Sequence, residues 1–247
     1  MNKDLIRSRF EKHLKDYDKN AKIQKLMAEK LIKFCSRKRY KNILEIGCGT
    51  GFLTKEAAKN LDYEAYTAVD IVSECESYIK EIDDKISFAA KDIEKLLAEK
   101  SFPDFAPDLI ISNASLQWCS DFESVVNKLK NMLSKNGEFI FTTFGKEHFR
   151  EIFYILGTGL NYYSEAELKE MFEGSEICAQ EVHIMSFKTP KDVLKHLKLT
   201  GVNGIESKVW TKSDLKSFED TYHNLCVKIP TLTYNPVYIK FSNKTNG

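Results

Sequence analysis

Apolar positions along the chain switch between two periods. Short apolar runs of strand length alternate with segments whose apolar residues recur at helical spacing. An upstream helix is expected over residues 20–34, NAKIQKLMAEKLIKF, with Ile23, Leu26, Met27, Leu31 and Phe34 on one face. Then come NILEIG as a strand, TGFLTKEAAKN as a helix, EAYTAVD as a strand, ECESYIKEI as a helix, and the strands KISFAAKDI and DLIISN. FESVVNKLKNMLS reads as a helix, and a turn at Asn136-Gly137 leads into the strand NGEFIFTTFG. This alternation through residue 145 predicts a parallel, doubly wound α/β sheet with helices on both faces and a ligand at the carboxyl ends of its strands.

After residue 145 the rhythm changes. Helices near EHFREIFYIL and SEAELKEMF lead to a strand around AQEVHIMSF, a largely helical stretch from Thr189 to about Cys226, and a last strand, PVYIKFS. The pattern implies seven strands, mostly parallel, with an antiparallel last strand. A helical lid, residues 188–234, is expected between the last two strands, over a core made of residues 1–187 and 235–247.

The chain has 247 residues, enough to bury the core of one large domain. Lys and Arg total 37 against 36 for Asp and Glu, which lacks the basic surplus of a general nucleic-acid binder. The six cysteines (Cys35, Cys48, Cys75, Cys119, Cys178, Cys226) form no CxxC pair and the five histidines form no ligand-spaced cluster, so reduced thiols and no metal are expected. The first residues are too charged for a signal peptide, and no apolar run reaches about 18 residues. A soluble, cytoplasmic protein without membrane or nucleic-acid partners, and a monomer, is the expectation.

The segment ILEIGCGTG, residues 43–51, concentrates the candidate chemistry. Glycines at 47, 49 and 51 let backbone N–H groups and a helix N-terminus approach a ligand. A dinucleotide site wants GxGxxG, and here the sixth position is Phe52; a P-loop is excluded because no GK[ST] follows. Glu45 lies in the strand just before the loop, where a carboxylate suits a cationic ligand better than a pyrophosphate. Asp70, followed by Ile71, ends the second strand in position for ribose hydroxyls. Asp92 and Ile93 end the third, as a carboxylate and an apolar neighbour able to bracket an adenine. Cys48 reads as a small residue that fits the loop.

Together these residues resemble the class I S-adenosylmethionine-dependent methyltransferases, with a Rossmann-like fold and an acid-xGxGxG loop, over about residues 40–145. A closer resemblance extends from about residue 8 to 241. DYDKNAKIQ (16–24), AKDIE (90–94), SNASLQWCSD (112–121), FTTFG (141–145), YYSEAEL (162–168), LKLTGVNG (197–204) and IPTLTYNPVYI (229–239) are similar to segments of the malonyl-acyl-carrier-protein O-methyltransferases of biotin synthesis. That resemblance implies methyl transfer from S-adenosylmethionine to the free carboxylate of malonyl-acyl carrier protein, giving the methyl ester and S-adenosylhomocysteine. A carboxylate acceptor, with a reference pKa of about 4, is already ionised at neutral pH. It suits a sequence with no evident base after its fourth strand.

Within the resemblance, Tyr17 covers the cofactor's carboxyl end, touches the acceptor, or packs on the sheet as a helix-entry aromatic. Asn113, Leu116 and Gln117 are expected to line the cofactor methionine and the methyl-transfer channel, with Trp118 closing it or joining the core. A malonyl carboxylate entering a dry channel needs donors. Arg150, after the fifth strand, is the first candidate and Tyr234 the second. An acyl carrier protein presents an acidic helix, for which Lys191, Lys195 and Lys198 on TPKDVLKHLKL form one candidate face. Arg7, Arg9, Lys12 and Lys15, or Arg37, Lys38 and Arg39, are rivals. Two other readings stay open: methylation of a free small carboxylic acid of the trans-aconitate kind, and a non-catalytic S-adenosylmethionine-binding partner protein.

Overall fold

The computed structural model describes residues 2–99, 102, 105–157, 159–201, 210–226 and 229–243. Two helices come first, α1 (Lys3–Asn20) and α2 (Lys22–Leu31). Strand and helix then alternate: β1 (Arg39–Ile46), α3 (Phe52–Asn60), β2 (Asp62–Asp70), α4 (Cys75–Lys80), β3 (Ile86–Ala90), α5 (Ile93–Leu96), β4 (Leu109–Ser112), α6 (Phe122–Asn131) and β5 (Glu138–Phe144). The rest comprises α7 (Arg150–Leu156), α8 (Glu165–Met171), β6 (Glu176–Gln180), β7 (His183–Ser186), α9 (Pro190–Leu199), α10 (Lys212–Leu225), β8 (Thr231–Tyr234) and β9 (Pro236–Ser242).

Seven strands form one sheet in the order β3-β2-β1-β4-β5-β9-β6. Strands β1 to β5 pair in parallel, and β9 runs antiparallel between β5 and β6. The direction of winding reverses between β1 and β4, so a cleft opens at their carboxyl ends. Alternate residues of β1 show the layering: Ile43 enters the core under α2 and α3, while Leu44 and Ile46 enter the core under α6 and α8. Full burial of Ile43 or Leu44 is worth about 1.5–3 kcal/mol each. This is a Rossmann-like α/β fold with helices on both faces.

Where structure and pattern differ, a local cause is visible. Charged α1 is a full helix, capped by the Asn2 side chain on the Leu5 amide, and buries only Ile6 and Leu14 among its residues. In α2, Ile23, Met27 and Leu31 are buried, but Leu26 is 48% exposed and turns away from the core. The stretch expected as one strand around AQEVHIMSF is two. At its break the Glu181 amide still bonds the Pro236 carbonyl, after which the chain leaves β9 and pairs with β8 instead. The β7–β8 ribbon is thus the stem from which α9 and α10 extend. Both helices start at capping boxes, Thr189 with Asp192 and Thr211 with Asp214. Part of the expected helical stretch, residues 202–209, lies outside the described residues, as do residues 202–204 of LKLTGVNG. Among the described residues no helix is long and apolar enough to cross a membrane.

Candidate active site

The cleft at the carboxyl ends of β1, β2 and β4 has two lobes. They share Ile6, Gly47, Asp70, Ile71, Ser115 and Trp118 and enclose about 80 and 110 Å³. The first lobe adds Lys3, Lys91, Asp92, Ile93 and Cys119; the second adds Phe10, Leu14, Tyr17, Gly49, Thr50 and Asn113.

Asp70 joins the lobes. One carboxylate oxygen accepts from the Gly49 amide and the other from the Val72 amide, each at 2.9 Å. Burial pushes its pKa up while those backbone bonds pull it down. The loop above it has a left-handed backbone at Gly47, Gly49 and Gly51, with φ of 69°, 53° and 84°. A Cβ on Gly47 would stand 1.9 Å from Ser115 Oγ, so only glycine lets β1 and the β4 loop meet there. A Cβ on Gly49 would meet nothing within 4 Å, so the space beside its Cα is open to the cleft. Gly51 starts α3 and packs toward Ile79 and Ile82. Cys48 is buried in the core, and that burial holds its thiol well above the usual range.

Glu45 takes a different place from the one expected. It lines neither lobe and lies 1% exposed beneath the loop, accepting from Thr54 Oγ1 at 2.7 Å and from the Tyr66 hydroxyl at 2.5 Å. It shares the sheet face of Ile43, so its carboxylate points into the layer under α3. Burial there raises its pKa to about 7.

Asp92 lines the first lobe but caps α5 instead of ending β3, which stops at Ala90. Its carboxylate is bonded by Lys3 from α1, which also pairs with Glu94. At the far end of α1, Asp18 accepts from Thr50 Oγ1 at 2.5 Å. Helix α1 is therefore fastened across the cleft at both ends. Between the fastenings Tyr17 packs on Phe52 and Phe10, and Phe10 meets Trp118 edge-on at 6.0 Å. Burial holds the Tyr17 hydroxyl protonated.

The segment after β4 turns sharply. Ala114 has φ of 50°, a strained value for a residue with a side chain, and its amide donates to Thr142 Oγ1 at 2.8 Å. Asn113 lines the second lobe while bonding the Gln24 carbonyl and Thr142. The following turn, Leu116–Trp118, holds two of the expected residues away from the cleft. Leu116 is fully buried in the core under α6, and Gln117 lines a neighbouring cavity, so Ser115 and Trp118 take the places facing the cleft.

Arg150 is also displaced from its expected role. It opens α7 outside the cleft and pairs with Glu147 at 2.9 Å, with about half of each side chain exposed. Lys191, Lys195 and Lys198 are exposed on α9, with Lys191 held by Glu219 at 3.2 Å, while Val193 and Leu197 are buried. Tyr234 is fully buried, 2.7 Å from His196 Nε2. Lys3, Ile6, Phe10, Leu14, Thr50 and Ser115 were not singled out by sequence reasoning. The only available signal was the i, i+4 recurrence of Ile6, Phe10 and Leu14 in a charged segment. Among the described residues no group of His, Cys, Asp and Glu is arranged to hold a metal ion.

Residues 17–176 match the family model described as a methyltransferase domain. The chain is 35% identical to a malonyl-[acyl-carrier protein] O-methyltransferase of Chlorobium luteolum, covering 99% of this chain and 97% of that protein. Proteins of the same name from Calditerrivibrio nitroreducens and Bacteroides thetaiotaomicron are 35% and 33% identical, over 94% and 97% of this chain and 94% and 97% of theirs. The chain belongs to the malonyl-[acyl-carrier protein] O-methyltransferase family. Solved structures share the fold of this methyltransferase. The YcgJ protein of Bacillus subtilis has a TM-score of 0.62 at 14% identity, over 90% of this chain and 98% of that one. The N-methyltransferase NodS of Bradyrhizobium japonicum, in complex with S-adenosylhomocysteine, has a TM-score of 0.53 at 14% identity, over 97% and 99%.

Proposed function

We propose that this enzyme transfers the methyl group of S-adenosylmethionine to the free carboxylate of a malonyl group carried as a thioester on acyl carrier protein. One observation carries the acceptor assignment. The general methyltransferase model ends at residue 176, whereas the likeness to the malonyl-[acyl-carrier protein] enzymes continues over 99% of the chain and so includes the α9–α10 insertion. Those two helices, α9 and α10 within residues 188–234 and with the β7–β8 stem at their base, are on this reading the lid over the acceptor.

The cleft fits the cofactor by its own chemistry. Asp70, with both oxygens oriented by backbone N–H groups, accepts the ribose hydroxyls; Ile71 and Ile93 flank the adenine and Asp92 meets its edge; the Gly47 and Gly49 backbone and Asn113 hold the methionine end. Glu45 acts from below, fixing α3 and Tyr66 beneath the loop. When bound, S-adenosylmethionine supplies a sulfonium-activated methyl group, and the protein's task is to bring a nucleophile in line and exclude water, which is worth up to about 7–11 kcal/mol. Tyr17, on the underside of α1, covers the meeting point of the two. The acceptor carboxylate needs no base. Burial holds His148 and His196 neutral, so neither provides a fixed cation. Lys191, Lys195 and Lys198 offer the carrier's acidic helix a cationic face on α9.

The test compares methyl transfer to malonyl-acyl carrier protein, malonyl-CoA and free diacids including trans-aconitate. Preference for the carrier is expected, and equal turnover of a free diacid would overturn the acceptor assignment. Reversing Lys195 and Lys198 to Glu is expected to raise the carrier KM and flatten its salt dependence; an unchanged KM would remove α9 as the docking face.

A further inference from the structure

A groove of about 790 Å³ lies beyond β5, between α7 and residues 159–163, and nothing in the assignment above uses it. Its walls include His148, Phe149, Ile152, Leu160 and Tyr162. At the rim Phe153 and Tyr154 are 62% and 72% exposed, and Lys146 and Arg150 stand beside them, paired with Glu167 and Glu147. Exposed aromatic rings over an apolar floor are a surface that binding would cover.

The groove has an inner neighbour. A second cavity, of about 140 Å³, shares Leu160, Asn161 and Tyr163 with it and adds Gln117, Ser120, Phe122 and Thr143. That cavity shares Cys119 with the cofactor cleft, and the turn Leu116–Trp118 places Gln117 in one and Trp118 in the other. Surface groove, throat and cleft thus follow one another around the carboxyl ends of β5 and β4.

Gln117 marks the chemistry of the throat. Its Nε2 donates to the Ala114 carbonyl at 2.7 Å, which fixes the side-chain orientation because only an N–H can face that oxygen. Its Oε1 is buried without a hydrogen-bond partner in the protein. An orphaned buried acceptor is costly, and an N–H donor arriving through the throat would satisfy it. Asn161 adds a second amide at the junction of throat and groove.

We propose that groove and throat form the path of the acceptor's thioester arm: an extended, amide-bearing chain of the pantetheine class lies along α7, donates an amide N–H to Gln117, and delivers its terminal carboxylate to the cleft. This inference rests on the carrier-linked acceptor proposed above. The mixed lining suits such a chain, with aromatic walls for its methylene and gem-dimethyl parts and side-chain amides for its peptide-like links. At the outer rim Lys146 and Arg150 reach the phosphate that ties the arm to its carrier by exchanging their present partners, Glu167 and Glu147, for it. Helix α10 packs against both α7 and α9, connecting this mouth to the lysine-bearing helix.

The experiment measures KM for malonyl-pantetheine and for the truncated malonyl-N-acetylcysteamine, with S-adenosylhomocysteine affinity followed by titration. In the wild type the longer arm is expected to lower KM roughly tenfold, and Asn161→Trp, which narrows the junction, should bring the two KM values together. Gln117→Leu should do so in part, since it removes the acceptor at nearly constant size. Cofactor affinity identifies a variant that has lost its fold. A wild-type KM indifferent to the arm, or an Asn161→Trp enzyme that binds its cofactor and keeps the full difference, would overturn the path. Failure of the wild type to methylate malonyl-acyl carrier protein would instead remove the acceptor assignment beneath it.

Discussion

Lys3 Nζ stands 2.7 and 2.8 Å from the two carboxylate oxygens of Asp92, across 89 residues of sequence. The pair closes the outer end of α1 over the lobe assigned to adenine, and the carboxylate it engages is the one expected at the adenine edge. On that assignment, cofactor entry competes with a helix fastening. Lys3→Met should speed S-adenosylhomocysteine association by about two- to tenfold, the range of a half-buried ion pair worth about 0.5–1.5 kcal/mol. Stopped-flow fluorescence of Trp118 in a Trp210→Phe background reads the rate directly. An unchanged rate would mean that α1 opens elsewhere first.

Asp70 orders the glycine loop through the Gly49 amide and β2's exit through the Val72 amide, so on the ribose assignment its removal acts on loop and ligand together. Asp70→Ala should weaken S-adenosylhomocysteine by roughly 1.5–3 kcal/mol, the range for hydrogen bonds to a charged group. Isothermal titration with unchanged affinity would remove the ribose assignment.

The parts legible in sequence are those whose burial is dictated by short-range pattern. The strand NILEIG, the glycine loop and Asp70 follow from apolar runs and from residues at strand ends, and β9 spans the same residues as PVYIKFS. Apart from Tyr17, which the family resemblance set over the cofactor's carboxyl end, helix α1 was not legible as a cover, because a charged helix burying only Ile6 and Leu14 has the pattern of a solvated segment until the cleft beneath it is known. The same limit explains the turn after β4. Which of Ser115, Leu116, Gln117 and Trp118 faces the cleft depends on the left-handed Ala114 backbone, which Thr142 of a different strand fixes. Glu45 was placed at the right position in the chain but assigned the wrong neighbours, since strand alternation decides its face and the residues waiting there, Thr54 and Tyr66, come from α3 and β2.

Glu45 also gives the fold a pH dependence of known sign. Burial raises its folded pKa to about 7, above the unfolded carboxylate value, so the folded chain holds a proton the unfolded chain has lost. Stability is not affected below the unfolded pKa of about 4.3 and falls as pH rises from there through 7, at about 1.4 kcal/mol per unit of separation. Glu45→Gln keeps an acceptor for Thr54 and Tyr66 without the charge. Its melting temperature relative to the wild type should therefore rise between pH 5 and 8, and a constant difference would show that the wild-type carboxyl ionises there without penalty.

His196 carries the opposite dependence into the insertion. On α9 it meets the Tyr234 hydroxyl of β8 at 2.7 Å, joining a helix of the insertion to its stem, and burial lowers its pKa to about 4. A histidine whose folded pKa lies below the unfolded value of about 6.5 contributes stability that is present above that value and is lost as pH falls through 4. His196→Gln retains a polar group but not the ring that packs on Phe187 at 5.3 Å, so at pH 7.5 it should cost about 1–2 kcal/mol by chemical denaturation. That cost should shrink toward pH 4, where the wild type must also protonate its buried ring. A cost independent of pH would show that the ring acts by packing alone, with its protonation linked to neither α9 nor the stem.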